Sequence, residues 1–354
     1  MAEPPPERHV VSHAFNVAML VFGAGALAWM LRQLGWADLR GVAASVGYRF
    51  AIVLGLDLAA VLLDARALHT FMRPEARMVS YWQVVAAQIS GRAVNVVTPF
   101  SALGEATKLA MLVPHAPRVR VLSAIVLFNL AALYLSVLVM VIGTPITLLL
   151  VELPRALELT AVLGLAVVIP LVIGLGVVIE RGATTTLIRL LRRVRIISEP
   201  RRDDWCARLR ELDLQLTELH RNRAAGTWRG VLWVVASRLV TWGSTLTLIS
   251  AVGVAITPAL VLGVLSIGVL IAWIASAVPF GLGLADGGNY ALYDLLGASG
   301  AHGAFVTMLN RVRSLAVALV GFAVMAVVHT ANRLAIARIH ARLRDRRDHA
   351  RSDP

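Results

Sequence analysis

The hydrophobic residues of this chain are gathered into long runs that contain few or no charges. About 20 such residues, rising 1.5 Å each, cross the ~30 Å hydrocarbon core of a bilayer as one α-helix. A series of these runs requires a helical bundle, because lipid offers no hydrogen bonds to an open sheet edge. Full spans are predicted at residues 14–31, 48–68, 121–150, 156–180, 229–252 and 304–328.

Two other hydrophobic segments, 82–113 and 259–297, are interrupted in the middle by proline and glycine. Proline removes a backbone donor and glycine adopts dihedral angles that other residues avoid, so both tend to end helices. Each segment therefore predicts a helix, a break, and a second short helix that cannot span a membrane alone. The residues predicted to make the breaks are Pro99, Gly104, Pro279, Gly281 and Gly283.

The composition agrees with this pattern. Of the 354 residues, 58% are hydrophobic and 16% are charged, whereas soluble domains are about 45–50% apolar and about a quarter charged. The predicted fold class is therefore all-α: a polytopic membrane helix bundle with about six spanning helices and two broken, re-entrant hairpins.

The net charge of +13 is unevenly distributed, and its placement decides what it means. Arginine is concentrated in 181–229 and in 331–354, whereas 250–310 contains no arginine. Basic loops beside hydrophobic segments are typical of the cytoplasmic side of membrane proteins, where they attract anionic lipid headgroups. This placement argues against nucleic-acid binding.

The same rule predicts the topology. If both basic segments are cytoplasmic, the chain between them crosses the membrane an even number of times. The spans 229–252 and 304–328 supply two crossings, so 259–297 is predicted to enter and leave on the outer side. Segment 82–113 becomes a hairpin opened from the inside, and two similar segments in opposite orientation predict an inverted repeat. One loop departs from the rule, because this count places it outside although it contains Arg32, Arg40 and Arg49.

A single transmembrane domain is predicted over residues 1–354. Its first half is 14–180, its second half is 229–328, and a basic cytoplasmic tail follows at 329–354. The linker 181–228 carries leucines at helical spacing between charged residues, which is typical of an amphipathic helix. Such a helix either covers the cytoplasmic end of the bundle or binds a partner, and the linker is too short to hold a catalytic domain.

Polar residues within the hydrophobic segments carry the functional prediction, because a charge at the bilayer centre costs roughly 2.5 to more than 10 kcal/mol. Lys108, the only lysine of the chain, follows Glu105 by three residues, which places both on one helical face. The half-helix that begins near Glu105 presents free backbone N–H groups, an anion site for which the glutamate competes. The predicted substrate-binding residues are Arg92, Asn95, Glu105, Lys108, Asp286, Asn289 and Arg311.

The charged residues also have simpler interpretations. Asp286 stands at the start of the second half-helix, where aspartate is a favoured N-cap. Arg238 and Arg313 lie inside apolar runs and need either acids or a phosphate as partners. Asp57 and Asp64 are seven residues apart on one face of the second span, and the position of Asp64 near its end suggests snorkelling.

Two motifs carry a resemblance to a known family. The first consists of Asn95, Pro99, Gly104, Glu105 and Lys108. The second consists of Pro279, Gly281, Leu282, Gly283, Leu284 and Asp286, with Arg311 in the next helix. Together they resemble a flippase-like family, typified by the transmembrane domain of lysylphosphatidylglycerol synthases and by stand-alone proteins of hopanoid and glycolipid pathways. Asp286 stands where that family usually has glutamate, and Phe280 where glycine is common.

The resemblance implies lipid translocation between leaflets without the synthetic activity of the full-length synthases. The leading hypothesis is a flippase or translocase that moves an anionic phospholipid, a hopanoid or a lipid-linked precursor. A non-transporting accessory subunit of lipid or glycan biosynthesis is the alternative. An intramembrane enzyme is disfavoured, because the sequence has no HExxH, DDxxD-type or paired-cysteine motif.

No catalytic residue, metal or cofactor is predicted, and the absence of a P-loop predicts transport that is coupled to an ion or runs downhill. The predicted partners are the lipid substrate and anionic headgroups at the basic cytoplasmic face. A second copy of this chain, in a homo-oligomer, or a biosynthetic protein is a further predicted partner, but nucleic acid is not. The predicted location is the bacterial inner (plasma) membrane, multi-pass, with both termini cytoplasmic. The first run, 14–31, is predicted to be an uncleaved helix rather than a signal peptide.

Overall fold

The computed structural model describes residues 44–73, 79–98, 102–151, 224–276 and 283–352, with isolated positions at 25, 41, 155, 159, 162–167, 169–170 and 173–174. All regular structure in these ranges is helical, as the predicted fold class requires. The helices with defined bounds are α1 (Tyr48–Phe71), α2 (Tyr81–Val97), α3 (Ala102–Leu112), α4 (Arg118–Leu150), α5 (Ala224–Ala251), α6 (Pro258–Ala275), α7 (Leu284–Leu295) and α8 (Gly300–Ser352).

Four of these helices contain stretches long and apolar enough to cross a membrane, which confirms a polytopic helical membrane protein. They are 118–150, 227–251, 258–275 and 300–331. Three of them match the spans predicted at 121–150, 229–252 and 304–328. Helix α1 has 24 residues and occupies the predicted span 48–68, although it carries Asp57 and Asp64. The predicted span 14–31 and most of 156–180 lie outside the described residues.

Short polar signals set where the broken segments begin. Before α2, Gln83 accepts a hydrogen bond from the backbone N–H of Ser80 at 2.9 Å, one half of a capping box. Before α6, Thr257 accepts from the N–H of Leu260 at 3.2 Å. Helix α7 begins after Gly283, whose φ of 79° is a conformation that favours glycine.

Each broken segment is a helical hairpin, because its second helix folds back along its first. In the first hairpin, α2 and α3, a Cβ on Gly91 would lie 2.7 Å from the side chain of Lys108. In the second hairpin, α6 and α7, Leu296 lies against Gly263 in the same way. The predicted break residues Pro99, Pro279 and Gly281 lie outside the described residues. That the hairpins enter the bilayer without crossing it stays a prediction.

Helices α1 and α5 pack against each other in opposite directions. Phe71, the last residue of α1, covers Gly230 near the start of α5. In the middle of the pair Ser237 donates to the carbonyl oxygen of Ala60 at 3.0 Å. At the other end, Arg49 donates to the carbonyl oxygen of Ser250 at 3.1 Å. This last bond gives Arg49, which departs from the charge rule, a local partner at the C-terminal end of α5.

Helices α1–α4 and α5–α8 form two similar sets, and the hairpin of each set packs on the last helix of the other. Each set consists of a long helix, a hairpin and another long helix, and the first helices of the sets, α1 and α5, run antiparallel. Helix α2 packs on α8, where Ser90 donates to the carbonyl oxygen of Gly321 at 3.3 Å. Helix α6 packs on α4, where Gly143 faces Ser266. Opposite direction together with exchanged partners is the geometry that an inverted repeat requires.

One end of the bundle is markedly basic. It collects the C-terminal end of α1, the N-terminal ends of α2, α4 and α5, and a buried apolar cluster that includes Phe71, Leu112, Val121 and Val234. We call this the basic end, because Arg66, Arg73, Arg118 and Arg229 belong to it.

Helix α8 is longer than the sequence predicts. It continues to Ser352 over 53 residues, or about 80 Å. The predicted boundary between the span and the basic tail, at residues 328 and 329, therefore falls inside one continuous helix. No proline interrupts it before Ser352, and its arginine-rich final turns carry the helix past its apolar stretch.

Candidate functional site

The break of the first hairpin is closed by an amide and a pair of glycines. Asn95 near the end of α2 accepts a hydrogen bond from the backbone N–H of Gly104 at 2.8 Å. A Cβ on Gly104 would lie 2.2 Å from both the Asn95 Oδ1 atom and the carbonyl oxygen of Gly91. Only glycine permits this approach. Asn95, on the opposite helix, therefore takes up an N–H of the first turn of α3.

The two charges at the first break, Glu105 and Lys108, are paired within α3. Lys108 donates to Oε1 of Glu105 at 2.8 Å, and its ammonium lies 5.5 Å from the centre of the Phe128 ring. The lysine side chain is only 4% exposed, while the glutamate is 28% exposed. The second carboxylate oxygen of Glu105 is buried and has no hydrogen-bond partner among the described residues. The pair thus keeps a buried cation and one carboxylate oxygen that can accept a further donor.

The break of the second hairpin is arranged differently. Asp286 lies in the first turn of α7, where its Oδ2 accepts from the backbone N–H of Gly283 at 3.0 Å. The same oxygen accepts from Arg311 of α8 at 2.5 Å. Asn289 donates to the Thr307 hydroxyl of α8 at 2.8 Å. Gly283 rather than Asp286 occupies the N-cap position, and Asp286 bonds back to its N–H while pairing with a neighbouring cation, Arg311.

Helix α8 connects the two breaks. Val312, next to Arg311, packs with Val96 and Val97 at the end of α2 in an apolar cluster. Arg311 meanwhile contacts the first turn of α7. The two breaks therefore lie on either side of one turn of α8, which is the arrangement of discontinuous helices at the centre of an inverted repeat.

Two further ion pairs surround this centre. Arg313 donates through two nitrogens to both carboxylate oxygens of Asp57, which also accepts from Ser244 of α5 at 3.0 Å. Arg92 of α2 donates to Asp64 of α1 at 2.7 Å. Both aspartates are buried, so the interpretation of Asp64 as a snorkelling residue is wrong.

Arg238 of α5 lies beside the second of these pairs, close enough for the charges of Asp64 and Arg92 to act on it. Its Nε atom is buried without a hydrogen-bond partner in the described ranges. The Oδ1 atom of Asp64 is likewise buried and unpartnered there. One acid therefore faces two arginines, which leaves this group with a net positive charge.

The structure brings the predicted residues together in two groups rather than in one. Asn95, Glu105 and Lys108 lie at the first break. Asp286, Asn289 and Arg311 lie at the second break. Arg92 joins neither group, because it pairs with Asp64 of α1.

Four residues near this centre, Asp57, Asp64, Arg238 and Arg313, are absent from the predicted set. Their signal in the sequence was charge within an apolar run, but their partners depend on how distant helices pack. Asp57 and Arg313, for example, are 256 positions apart.

The fold and the paired charges at its centre define a polytopic helical membrane protein with two opposed hairpins. The chain belongs to the family described as the lysylphosphatidylglycerol synthase TM region, whose model matches residues 16–321. Neither a curated protein nor a solved structure matches it. Family membership makes this a membrane protein related to lipid biosynthesis or translocation.

Proposed function

We propose that the protein is a translocase that moves anionic lipid headgroups between the leaflets, through the centre between its two hairpins. The observation that carries the proposal is an excess of positive charge in that centre and in the ion pairs around it. In the described part of the chain this region holds four acids, Asp57, Asp64, Glu105 and Asp286. It holds five cations, Arg92, Lys108, Arg238, Arg311 and Arg313.

The free-energy cost of an unpaired cation in a membrane supports a role for the fifth cation in binding an anion. A cation at membrane depth is expensive unless an anion neutralises it. Each of the four acids already has a cation in direct contact, and Arg238 is the cation left over among the described residues of this region. A phosphate supplies the missing negative charge, and a guanidinium binds phosphate oxygens through two parallel hydrogen bonds. The acyl chains of such a lipid remain in the bilayer while the headgroup occupies the polar centre.

The pair in the first hairpin provides the second contact for the headgroup. Lys108 is a buried ammonium held by one carboxylate oxygen of Glu105. When an anion arrives at Lys108, the glutamate is displaced or takes up a proton, and its unpartnered oxygen is the atom available for that proton. This step requires no nucleotide and no covalent chemistry, so the proposal includes no catalysed reaction and no cofactor.

The proposed location is the bacterial plasma membrane, with the basic end of the bundle toward the cytoplasm. Arginines beside spanning helices are retained on that side. Helix α5, which follows the arginine-rich linker, begins at the basic end, and both termini are proposed to be cytoplasmic. At the opposite end, residues 250–310 contain no arginine, and Arg49 of α1 is bonded there to the carbonyl oxygen of Ser250.

Leaflet exchange in reconstituted vesicles tests the proposal. Fluorescent phosphatidylglycerol and phosphatidylcholine are placed in the inner leaflet, and their arrival outside is followed with a membrane-impermeant quencher. We expect the protein to accelerate phosphatidylglycerol exchange, Arg238→Gln to remove most of this acceleration, and Arg238→Lys to retain part of it. Equal rates with and without well-folded protein would contradict transport and favour the accessory-subunit alternative.

A further inference from the structure

A cavity of about 470 Å³ lies at the basic end, between the last turns of α1 and the first turns of α5. Its polar lining consists of Arg66, Arg73, Arg229 and Thr70. Its apolar lining consists of Leu232, Trp233 and Ala236. Small-molecule sites have cavities of about 300–1,000 Å³, so a lipid headgroup is of suitable size.

The charges of this cavity are unlike those of the centre. Three arginines line it, and within the described ranges no acidic side chain does. Arg66 is held in place by the Tyr81 ring, whose centre lies 6.0 Å from its guanidinium. Asp64, two residues before Arg66, is buried and bonded to Arg92, and Glu75, two residues after Arg73, lies outside the described residues. Among the described residues, an anion that enters the cavity therefore meets three arginines and no carboxylate.

The apolar lining indicates that the anion belongs to a lipid. Leu232 is 64% exposed and Trp233 is 38% exposed, on the outer face of α5. Tryptophan is enriched where a protein meets the headgroup region of a membrane. Trp228, one turn earlier, is also exposed. A phosphate held by the arginines would leave its acyl chains beside these residues, whereas a water-soluble phosphate would gain nothing from them.

The position of the cavity relates it to the centre. Ala236 lines the cavity, and Arg238 follows two residues later on the same helix. On α1, Arg66 lines the cavity and Asp64 lies two residues nearer the centre. The cavity and the group of Asp64, Arg92 and Arg238 thus lie at neighbouring levels of the α1 and α5 pair, about 3 Å apart along the helix axes but on different helix faces.

We propose that this cavity is a binding site for the phosphodiester headgroup of an anionic membrane phospholipid. It receives the lipid from the leaflet at the basic end before the headgroup reaches Arg238. The order of these two steps rests on the proposed function, but binding in the cavity does not, so the two can fail separately.

Trp233 provides a reporter within the cavity. Phosphatidylglycerol with brominated acyl chains, mixed into phosphatidylcholine vesicles that carry the full chain, quenches tryptophan fluorescence on contact. Subtracting the signal of Trp233→Phe isolates this residue. We expect half-maximal quenching at a much lower fraction of brominated phosphatidylglycerol than of brominated phosphatidylcholine. Equal fractions for both lipids would overturn the proposal.

Variants of the exposed arginines test the cations. Arg73→Gln with Arg229→Gln is expected to raise the half-maximal lipid fraction at least about tenfold, or about 1.4 kcal/mol. The same positions changed to lysine should stay within about threefold of the parent. Arg118→Gln, which removes another exposed arginine of the basic end at the start of α4, is the matched control and should change nothing. Arg229→Gln alone gives the same test if the double variant is unstable, and an unshifted curve would overturn the site.

A soluble competitor separates the two sources of phosphate. Glycerol phosphate in the buffer should not displace brominated phosphatidylglycerol, because it lacks the acyl contacts. Displacement at concentrations equal to those of the lipid would overturn the assignment to a membrane lipid. If selective quenching is present but the protein does not exchange lipid between leaflets, the cavity remains a lipid site and only the proposed transport fails.

Discussion

The two hairpins have the same shape but hold their charges differently. In the first hairpin, Glu105 pairs with Lys108 on the same short helix. In the second hairpin, Asp286 pairs with Arg311 on the neighbouring long helix α8. A pair within one helix moves with that helix, whereas a pair between helices fastens one to the other. The comparison indicates that the short helix α3 carries its own charge pair and that α7 is fastened to α8.

The two hairpins also differ in how their glycines are packed. The first break is closed tightly, with Gly104 in contact with Asn95 and Gly91. In the second hairpin, Gly287 has open space where its side chain would be, while Gly288 lies against the Ile271 side chain of α6. The first break is therefore closed on a backbone carbonyl and an amide, whereas the second hairpin is packed on side chains and is also connected to α8.

The largest expected effect comes from placing a methyl group at each of these glycines. Gly104→Ala should destabilise the protein by about 3 kcal/mol, because a backbone carbonyl and the Asn95 amide cannot both move away. Gly287→Ala should be neutral or stabilise α7 by up to about 1 kcal/mol, since alanine favours helix. Thermal unfolding of both variants in one detergent measures the difference. Equal stabilities would remove the contrast between the breaks.

Loss of the connection to α8 should produce the next largest effect. Arg311→Gln removes a charge-assisted hydrogen bond of about 1.5–3 kcal/mol. We expect a value near the lower figure, because Asp286 is 37% exposed and water screens the pair. A spin label at Tyr290→Cys, in a Cys206→Ser background, should then become more mobile. Lys108→Gln should leave a label at Leu103→Cys unchanged, and increased mobility there would contradict the comparison.

A smaller effect is expected from the amide that closes the first break. Asn95→Ala leaves the N–H of Gly104 without its acceptor and should cost about 1 kcal/mol, the usual cost of a lost helix cap. Asn95→Asp keeps an acceptor at the same place and should recover most of this loss. The free energy of unfolding in denaturant measures both variants, and an Asn95→Ala protein as stable as the parent would show that the bond contributes nothing.

The smallest effect concerns the loop after the first hairpin, where His115 contacts Gln83 at 3.4 Å. Burial lowers the pKa of His115 below its ordinary value of 6.5. The neutral form is therefore favoured in the folded state, and its contribution is present above about pH 6.5 and lost as the pH falls through the folded-state pKa. The contribution should be small, because His115 is partly exposed and water screens the effect.

Melting temperatures measured on both sides of that pH check this prediction. The His115→Gln variant should lose less stability on acidification than the parent does. A parent and variant that respond identically to acid would show that His115 does not contribute to the pH dependence.

The sequence predicted the hairpins because their signals are local. Clusters of proline and glycine follow the ends of α2 and α6, whereas single residues do not end a helix, since Pro145 lies inside α4 and the predicted break residue Gly104 lies inside α3. The partners of the buried charges could not be predicted. Asp57 meets Arg313 only because α1 and α8 pack together, and Asp64 meets Arg92 only because α2 returns beside α1. Arg238 is notable in the structure because the acids near it are already paired, which no spacing in the sequence reveals.

The most direct test of the account is the leaflet exchange of phosphatidylglycerol by the double variant Glu105→Gln with Lys108→Gln. The substitutions remove both charges together, so neither is left unpaired and the fold is expected to survive, as thermal unfolding will check. If Lys108 receives the headgroup, exchange should fall at least about tenfold, or about 1.4 kcal/mol, while Lys108→Arg retains most of the rate. A well-folded double variant that exchanges phosphatidylglycerol at the parental rate would contradict the account and reduce the pair to a structural role.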